Sequence, residues 1–147
     1  MGGRLQHWWR IRAHERRTAP GNVLGKDSRD GGTMPYIHVA TNQELDDKRR
    51  RELCTALTEL AAELLGKSTA YVMVQVEPGV TLSFGGTFDP AAFVQLKSIR
   101  LDTSRCAELS AAICTFLQAS LGIPPDRAFI DFIDLTPSQF GWNSKVF

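Results

Sequence analysis

Two stretches of the sequence share one outline: LGKSTAYVMVQV at residues 65–76 and LGIPPDRAFIDF at residues 121–132, 56 positions apart. In the first stretch Gly66 follows an amphipathic segment, where glycine is typical of the residue that ends a helix. The β-branched run AYVMVQVEPG at 70–79 comes next and is closed by a Pro-Gly turn, as is typical of a strand. The chain is therefore predicted to contain one helix-to-strand unit twice.

Each repeated stretch is preceded by a helix and, before the helix, by another strand. The first strand is predicted over PYIHVA at 35–40, and its counterpart over QLKSIRL at 95–101, because both alternate. The first helix is predicted over 44–67 and the second over 104–121. Their apolar faces consist of Leu53, Leu57, Leu60, Ala61 and Leu64, and of Leu109, Ile113, Phe116 and Leu117. The second long strand is predicted over 128–135, which makes the fold class α/β (α+β) with a doubled β-α-β unit.

The crossovers of such a unit are right-handed, which puts both helices on one face of a four-stranded sheet. The other face then has no layer over it. In 71–76 one face carries three valines and the other carries Tyr71, Met73 and Gln75, so both faces are expected to be largely buried. Because two helices cannot cover both faces, we expect the chain to oligomerise through the open face of the sheet.

The charges divide the chain near Met34. Residues 1–33 hold seven Lys and Arg against three Asp and Glu, whereas the rest holds ten against thirteen. We therefore predict a basic leader at 1–33 and one small domain at 34–147. The leader lacks the apolar core of a secretory signal but has the arginine content of a weak transit peptide. Its arginines and tryptophans also suit contact with nucleic acid or membrane, yet a disordered extension or a start codon placed too far upstream is preferred.

No apolar run approaches the roughly 20 residues of a membrane span, so a soluble protein is expected. Three cysteines are an odd number without a close pair, and we expect reduced, buried thiols: Cys54, Cys106 and Cys114. Histidines and cysteines show no spacing typical of a metal site. The basic run at 48–51 is balanced by nearby acids and indicates a solvated helix face. Neither a metal nor nucleic-acid binding is expected.

Four motifs resemble the macrophage migration inhibitory factor and D-dopachrome tautomerase family of the tautomerase superfamily. They are MPYIHVATN at the start of the domain, LGKSTAYVMVQV, FGGTFDPAA at 84–92 and FGWNSKVF at 140–147. The resemblance covers residues 34–147 and none of the leader. It implies a homotrimer of doubled β-α-β subunits that uses no cofactor. It also implies that Pro35 is the catalytic residue, provided that Pro35 is the mature N-terminus.

The chemistry of proline explains this condition. Inside a chain the proline nitrogen is an amide, whose lone pair is delocalised and does not act as a base at neutral pH. At a terminus it is a secondary amine. Exposed α-amines titrate near 7.7 to 8.0, and both desolvation and a nearby cation lower the pKa toward neutrality. If Met34 is the initiator, the small residue after it permits removal of the methionine; otherwise Pro35 is a proline that opens a strand.

The resemblance assigns substrate-binding roles to Lys67, Ile99 and Asp131. Lys67 is expected to neutralise a carboxylate or a developing enolate, although a surface lysine at a helix end is also ordinary. Ile99 is expected to contact the substrate through its backbone, and core packing explains its side chain equally well. Where the family has Tyr-x-Asn reaching into a neighbouring subunit's pocket, this chain has Phe129-x-Asp131, which removes a donor and adds negative charge.

The face that Asp131 shares with Phe129 and Ile133 is expected to be buried, where a carboxylate needs a partner. Two alternatives are open for this carboxylate: it repels an anionic substrate, or it pairs with an Arg or Lys at a subunit interface. The resemblance also implies that an apolar pocket is lined by Phe129, Phe140, Trp142 and Phe147. Simple core packing explains Trp142 equally well.

These features predict a keto-enol tautomerase of the phenylpyruvate type, with dopachrome-like substrates as a further option. Its partner would be a small aromatic α-keto acid. The alternative is a cytokine-like or regulatory protein of the same family that binds a protein receptor and has weak or no catalysis.

The family's cytokine member has Cys-x-x-Cys after FGG, whereas this chain has Ala91 to Val94, so thiol-disulfide chemistry is not expected. A cytoplasmic protein is expected, and secretion without a signal peptide is left open.

Overall fold

The computed structural model describes residues 34–147, so the predicted leader lies outside the described residues. Two similar units follow each other in the chain. The first comprises β1 (Tyr36–Thr41), α1 (Asp47–Leu65) and β2 (Met73–Glu77), and the second comprises β3 (Ala92–Ile99), α2 (Cys106–Leu121) and β4 (Ala128–Leu135). A small hairpin of β5 (Gly141–Trp142) and β6 (Lys145–Val146) ends the chain. The prediction of a doubled β-α-β unit is confirmed.

Polar side chains move two of the predicted boundaries. The Asp46 carboxylate accepts a hydrogen bond from the Arg49 backbone N–H at 2.8 Å, so α1 begins after Asp46 rather than at residue 44. The Ser68 hydroxyl accepts one from the Ala70 N–H at 3.3 Å and starts a short 3₁₀ turn over Thr69–Tyr71. That turn occupies the beginning of the strand that the β-branched run predicted over 70–79, so β2 begins at Met73.

The sheet has the strand order β2-β1-β3-β4, with β1 parallel to β2, β3 parallel to β4, and β1 antiparallel to β3. Its helix-covered face is the core, where Ile37 pairs with Leu96 and Val39 pairs with Val94. All four side chains are buried. The helices contribute further large buried residues: Leu53, Leu57, Leu60, Leu109, Ile113, Phe116 and Leu117. Both helices therefore lie on one face, as two right-handed crossovers require.

The opposite face, which we call the open face, has no layer over it among residues 34–147. The strand registers assign it three side chains from each strand: Tyr36, His38, Ala40, Met73, Gln75, Glu77, Phe93, Gln95, Lys97, Phe129, Asp131 and Ile133. Met73 is 58% exposed and Phe129 is 63% exposed, although both are apolar. The expectation that both faces of residues 71–76 are buried is wrong for residues 34–147 of the single subunit, because none of them covers this face.

The FGGTFDP segment is a loop held by two side chains. Gly85 and Gly86 adopt φ values of 58° and 77° in the tight turn between Phe84 and Thr87, and this left-handed region favours glycine. The Arg127 guanidinium donates to the carbonyl oxygens of Asp89 at 2.9 Å and Pro90 at 3.0 Å. From the other side, the Asn42 amide donates to the Asp89 carbonyl at 3.0 Å and accepts from the Ala91 N–H at 3.0 Å.

Candidate active site

Pro35 is buried directly before β1. Its carbonyl oxygen accepts a hydrogen bond from the Met73 N–H at 3.0 Å, which joins the entry of β1 to the first residue of β2. The next residue, Tyr36, pairs with Met73 and continues the parallel ladder. Pro35 is thus fixed at one end of the sheet, which we call the proline end. In the 147-residue chain its nitrogen forms the amide bond to Met34.

Lys67 returns to the proline end because α1 connects two parallel strands. A helix in such a crossover runs opposite to the strands, so its last turn lies where both strands begin. The helix ends in a Schellman motif, in which Gly66 has a φ of 63° and its N–H donates to the Glu63 carbonyl at 3.4 Å. The Lys67 N–H donates to the Ala62 carbonyl at 2.9 Å, which fixes the lysine backbone. The side chain of Lys67 is half-buried.

Ile99 reaches the same end from the third strand. Because β3 is antiparallel to β1, Lys97 pairs with Tyr36, and Ile99 lies two residues further along. Its side chain is fully buried, as core packing predicts. The strand ends there because Arg100 adopts a φ of 56°. Three of the predicted site residues, Pro35, Lys67 and Ile99, therefore share the proline end.

The C-terminal aromatic residues form one cluster with a residue that sequence reasoning did not assign to the site. The rings of Trp142 and Phe147 lie 6.0 Å apart and those of Phe140 and Phe147 lie 5.9 Å apart. Tyr71 meets Trp142 edge-to-face at 5.9 Å. Since Tyr71 lies two residues before β2, this contact brings the hairpin to the proline end. The sequence signal that Tyr71 lies outside the strand is Ser68, whose side chain caps the turn over Thr69–Tyr71.

The hairpin has its own turn chemistry. Asn143 and Ser144 have φ values of 50° and 63°, as the two central residues of a type I′ turn require. The Phe147 N–H donates to the Phe140 carbonyl at 3.3 Å and holds the last residue against the first aromatic residue of the cluster. Trp142 is 41% exposed, so the cluster has an open side.

Phe129 and Asp131 do not join this site in the same subunit. Phe129 pairs with Phe93, and Phe93 pairs with Ala40, five residues along β1 from Pro35. At about 3.3 Å per residue, that places Phe129 some 16 Å along the sheet from the proline end. Both side chains are exposed on the open face, so the predicted burial of Asp131 does not hold within one subunit. Within one subunit, Phe129 therefore lies apart from the cluster of Phe140, Trp142 and Phe147.

Thiol and metal chemistry find little support in residues 34–147. The three cysteines are free and half-buried, rather than fully buried as predicted. Burial raises the pKa of the Cys54 thiol, which disfavours the nucleophilic thiolate. Across the described domain, no group of three His, Cys, Asp or Glu side chains has the geometry to hold a metal ion. The same part of the chain contains no helix long and apolar enough to cross a membrane.

Comparison with known proteins identifies the family. The family model for macrophage migration inhibitory factor (MIF) matches residues 34–147. The chain belongs to the macrophage migration inhibitory factor family. It is 34% identical over 115 residues to macrophage migration inhibitory factor of Xenopus tropicalis, in a match that covers 78% of this chain and 99% of that protein. The rat protein of the same name is 35% identical over 115 residues, with the same coverage of both chains.

Solved structures of the family share the fold. The macrophage migration inhibitory factor from Trichinella spiralis has a TM-score of 0.70 and 32% identity, and the match covers 76% of this chain and 99% of that one. A homologue from Prochlorococcus marinus has a TM-score of 0.71 and 36% identity, with 76% and 98% covered. Family membership establishes a tautomerase-superfamily fold and makes tautomerase activity plausible for this member.

Proposed function

We propose that the protein, once Pro35 is its N-terminal residue, is a cofactor-independent keto-enol tautomerase of aromatic α-keto acids such as phenylpyruvate. The observation on which this rests is the position of Pro35. It is buried at the proline end, at the beginning of β1, where α1 also brings Lys67. Burial disfavours a charged ammonium, and a neighbouring lysine ammonium does so as well, so both effects favour a neutral amine that can act as a base.

The reaction is a proton transfer in two halves. The amine nitrogen of Pro35 takes a proton from the carbon next to the substrate carbonyl, and the C–H electron pair forms the carbon–carbon double bond of an enolate. The ammonium then returns the proton to the enolate oxygen, which leaves the enol and restores the amine. Lys67 would bind the substrate carboxylate and stabilise the developing negative charge. The aromatic cluster of Phe140, Trp142 and Phe147 would hold the substrate ring.

We further propose that the working form is a homotrimer. Exposed Met73 and Phe129 on the open face are the kind of apolar surface that a second copy covers. A neighbouring copy is also the way for Phe129 and Asp131 to reach a proline end, since in their own subunit they lie toward the other end of the sheet. Each complete site would then draw on two subunits.

Two substitutions test the catalytic roles in protein that begins at Pro35. Pro35→Gly replaces the ring-held secondary amine by a freely rotating primary amine, and we expect kcat/KM for phenylpyruvate to fall at least about tenfold. Lys67→Ala removes the charge that binds the carboxylate, and we expect KM to rise by about tenfold or more. Lys48→Ala, an exposed lysine of α1, is the matched control and should leave both constants unchanged.

The assay follows phenylpyruvate enolisation by absorbance, with intact mass confirming the N-terminus of each sample. Unchanged activity in Pro35→Gly would contradict the role of the base. Inactive wild-type protein with a verified Pro35 terminus would reject the tautomerase and favour the binding role.

A further inference from the structure

Besides Tyr36, the open face holds four titratable side chains, and two of them pair within the subunit. His38 on β1 contacts Glu77 on β2, with Nε2 and Oε2 3.0 Å apart. Tyr36 donates its hydroxyl hydrogen bond to the Gln75 side chain at 2.6 Å, which satisfies another polar pair of these strands. The other two titratable side chains of this face are a base, Lys97 on β3, and an acid, Asp131 on β4.

Lys97 and Asp131 lie on adjacent strands but form no ion pair with each other. Lys97 pairs in register with Ile133 rather than with Asp131, which is opposite Gln95. The Lys97 ammonium instead lies over the Tyr36 ring, 5.9 Å from its centroid. Among residues 34–147 the Asp131 carboxylate has no hydrogen bond or ion pair. Both charges are therefore satisfied mainly by water in a single subunit.

Covering the open face would remove that water. An unpaired buried charge is strongly destabilising, whereas two opposite charges brought together offset much of the cost. In a ring of identical subunits each contact joins different patches of two neighbours, so the acid of one copy can meet the base of the next. The face carries one unpaired charge of each sign, and this complementarity is what a second copy of the same chain supplies.

We propose that Asp131 of one subunit forms an ion pair with Lys97 of its neighbour and so fixes the register of the assembled subunits. This pairing rests on the proposed trimer. It also bears on the repulsion between Asp131 and an anionic substrate, because a carboxylate neutralised by a neighbour's lysine does not repel such a substrate. The partner that the open face accepts is thus another copy of this chain.

Charge reversal in the full chain tests the pair. Lys97→Glu and Asp131→Lys each place like charges at every contact, and we expect each to raise the concentration at which subunits assemble by at least about tenfold. The double variant K97E/D131K restores opposite charges at every contact and should assemble like the wild type. Lys48→Glu on the exposed side of α1 is the matched control and should assemble normally. Sedimentation velocity measures assembly, and circular dichroism verifies the fold of each variant.

Coexpression of the two single variants separates pairing between subunits from pairing within one. Neither variant contains an internal pair. In a mixed trimer, two of the three contacts join opposite charges and one joins like charges, whereas all three contacts of a single-variant trimer join like charges. The coexpressed variants should therefore assemble at a lower concentration than either variant alone. We therefore expect mixed assemblies, which native mass spectrometry detects even where a single variant is insoluble on its own.

Each of the other outcomes contradicts the proposal. Single variants that assemble like the wild type, or a double variant that does not recover, would overturn the pair. Recovery in the double variant, combined with single variants that assemble no better together than apart, would place the pair within one subunit. A monomeric wild type would instead reject the proposed trimer itself, and this is seen before any substitution is made.

Discussion

At the scale of single residues, Gly66 sets the direction in which the chain leaves α1 and enters Lys67. Its φ of 63° is favourable for glycine but costs other residues about 1 kcal/mol or more. Gly122 ends α2 in the same way with a φ of 66°, and a Cβ atom at either glycine would meet no atom within 4 Å. The two helix ends therefore have the same geometry and differ in the residue that follows the glycine. This residue is Lys67 at the proline end in the first unit and the buried Ile123 in the second unit.

This pair allows a controlled prediction. Gly66→Ala and Gly122→Ala should each lower the free energy of unfolding by about 1 kcal/mol, because each forces alanine into a left-handed conformation. Urea denaturation at one fixed protein concentration measures this loss. Only Gly66→Ala should raise KM for phenylpyruvate, since it alone disturbs the backbone of Lys67. Equal changes in KM for the two variants would contradict the assignment of Lys67 to the site.

At the scale of elements, the FGGTFDP loop depends on one arginine of the second unit. The Arg127 side chain donates to the Phe84, Asp89 and Pro90 carbonyl groups and also lies over the Phe84 ring, 5.4 Å from its centroid. A guanidinium suits this task because its donors point in several fixed directions, whereas a lysine ammonium is a single point charge. The loop between the two units is thus held by the residue that precedes β4.

Arg127→Lys should therefore lower the free energy of unfolding by about 2 kcal/mol, as expected for lost hydrogen bonds to a charged donor. Arg51→Lys, an exposed substitution on α1, is the control and should cost little. Thermal unfolding, checked by urea denaturation, measures the difference. An Arg127→Lys variant as stable as the control would show that the loop does not need the guanidinium.

The elements also show how far the sequence predicts the fold. Both helices follow from apolar periodicity, because each has one buried side that the pattern repeats, and β4 follows from the outline that residues 121–132 share with residues 65–76. The start of β2 was mispredicted because the Ser68 hydroxyl caps a turn over the first residues of the β-branched run. The convergence of Pro35, Lys67 and Ile99 follows from the order and direction of the strands, once the resemblance has named these residues. Exposure of Asp131 in the single subunit was missed, because the pattern of β4 does not show whether anything covers its open face.

At the scale of the whole molecule, the predicted site residues separate into two groups. Pro35, Lys67 and Ile99 belong to the proline end, and the Tyr71 contact brings the aromatic hairpin to the same end. Phe129 and Asp131 lie on the open face further along the sheet. A single subunit therefore presents two partial surfaces, and the proposed ring would bring them together. Activity should accordingly depend on assembly as well as on the terminal amine.

The central claim is that Pro35 acts as an amine and not as an amide. A chain whose translation begins at Met34, with loss of the methionine verified by intact mass, is compared with the uncut 147-residue chain in the phenylpyruvate assay. The two differ at the catalytic nitrogen and in the residues that precede it, and general-base catalysis contributes about a hundredfold or more. We predict a rate at least about a hundredfold higher for the chain that begins at Pro35. Equal rates, or a faster uncut chain, would contradict the account.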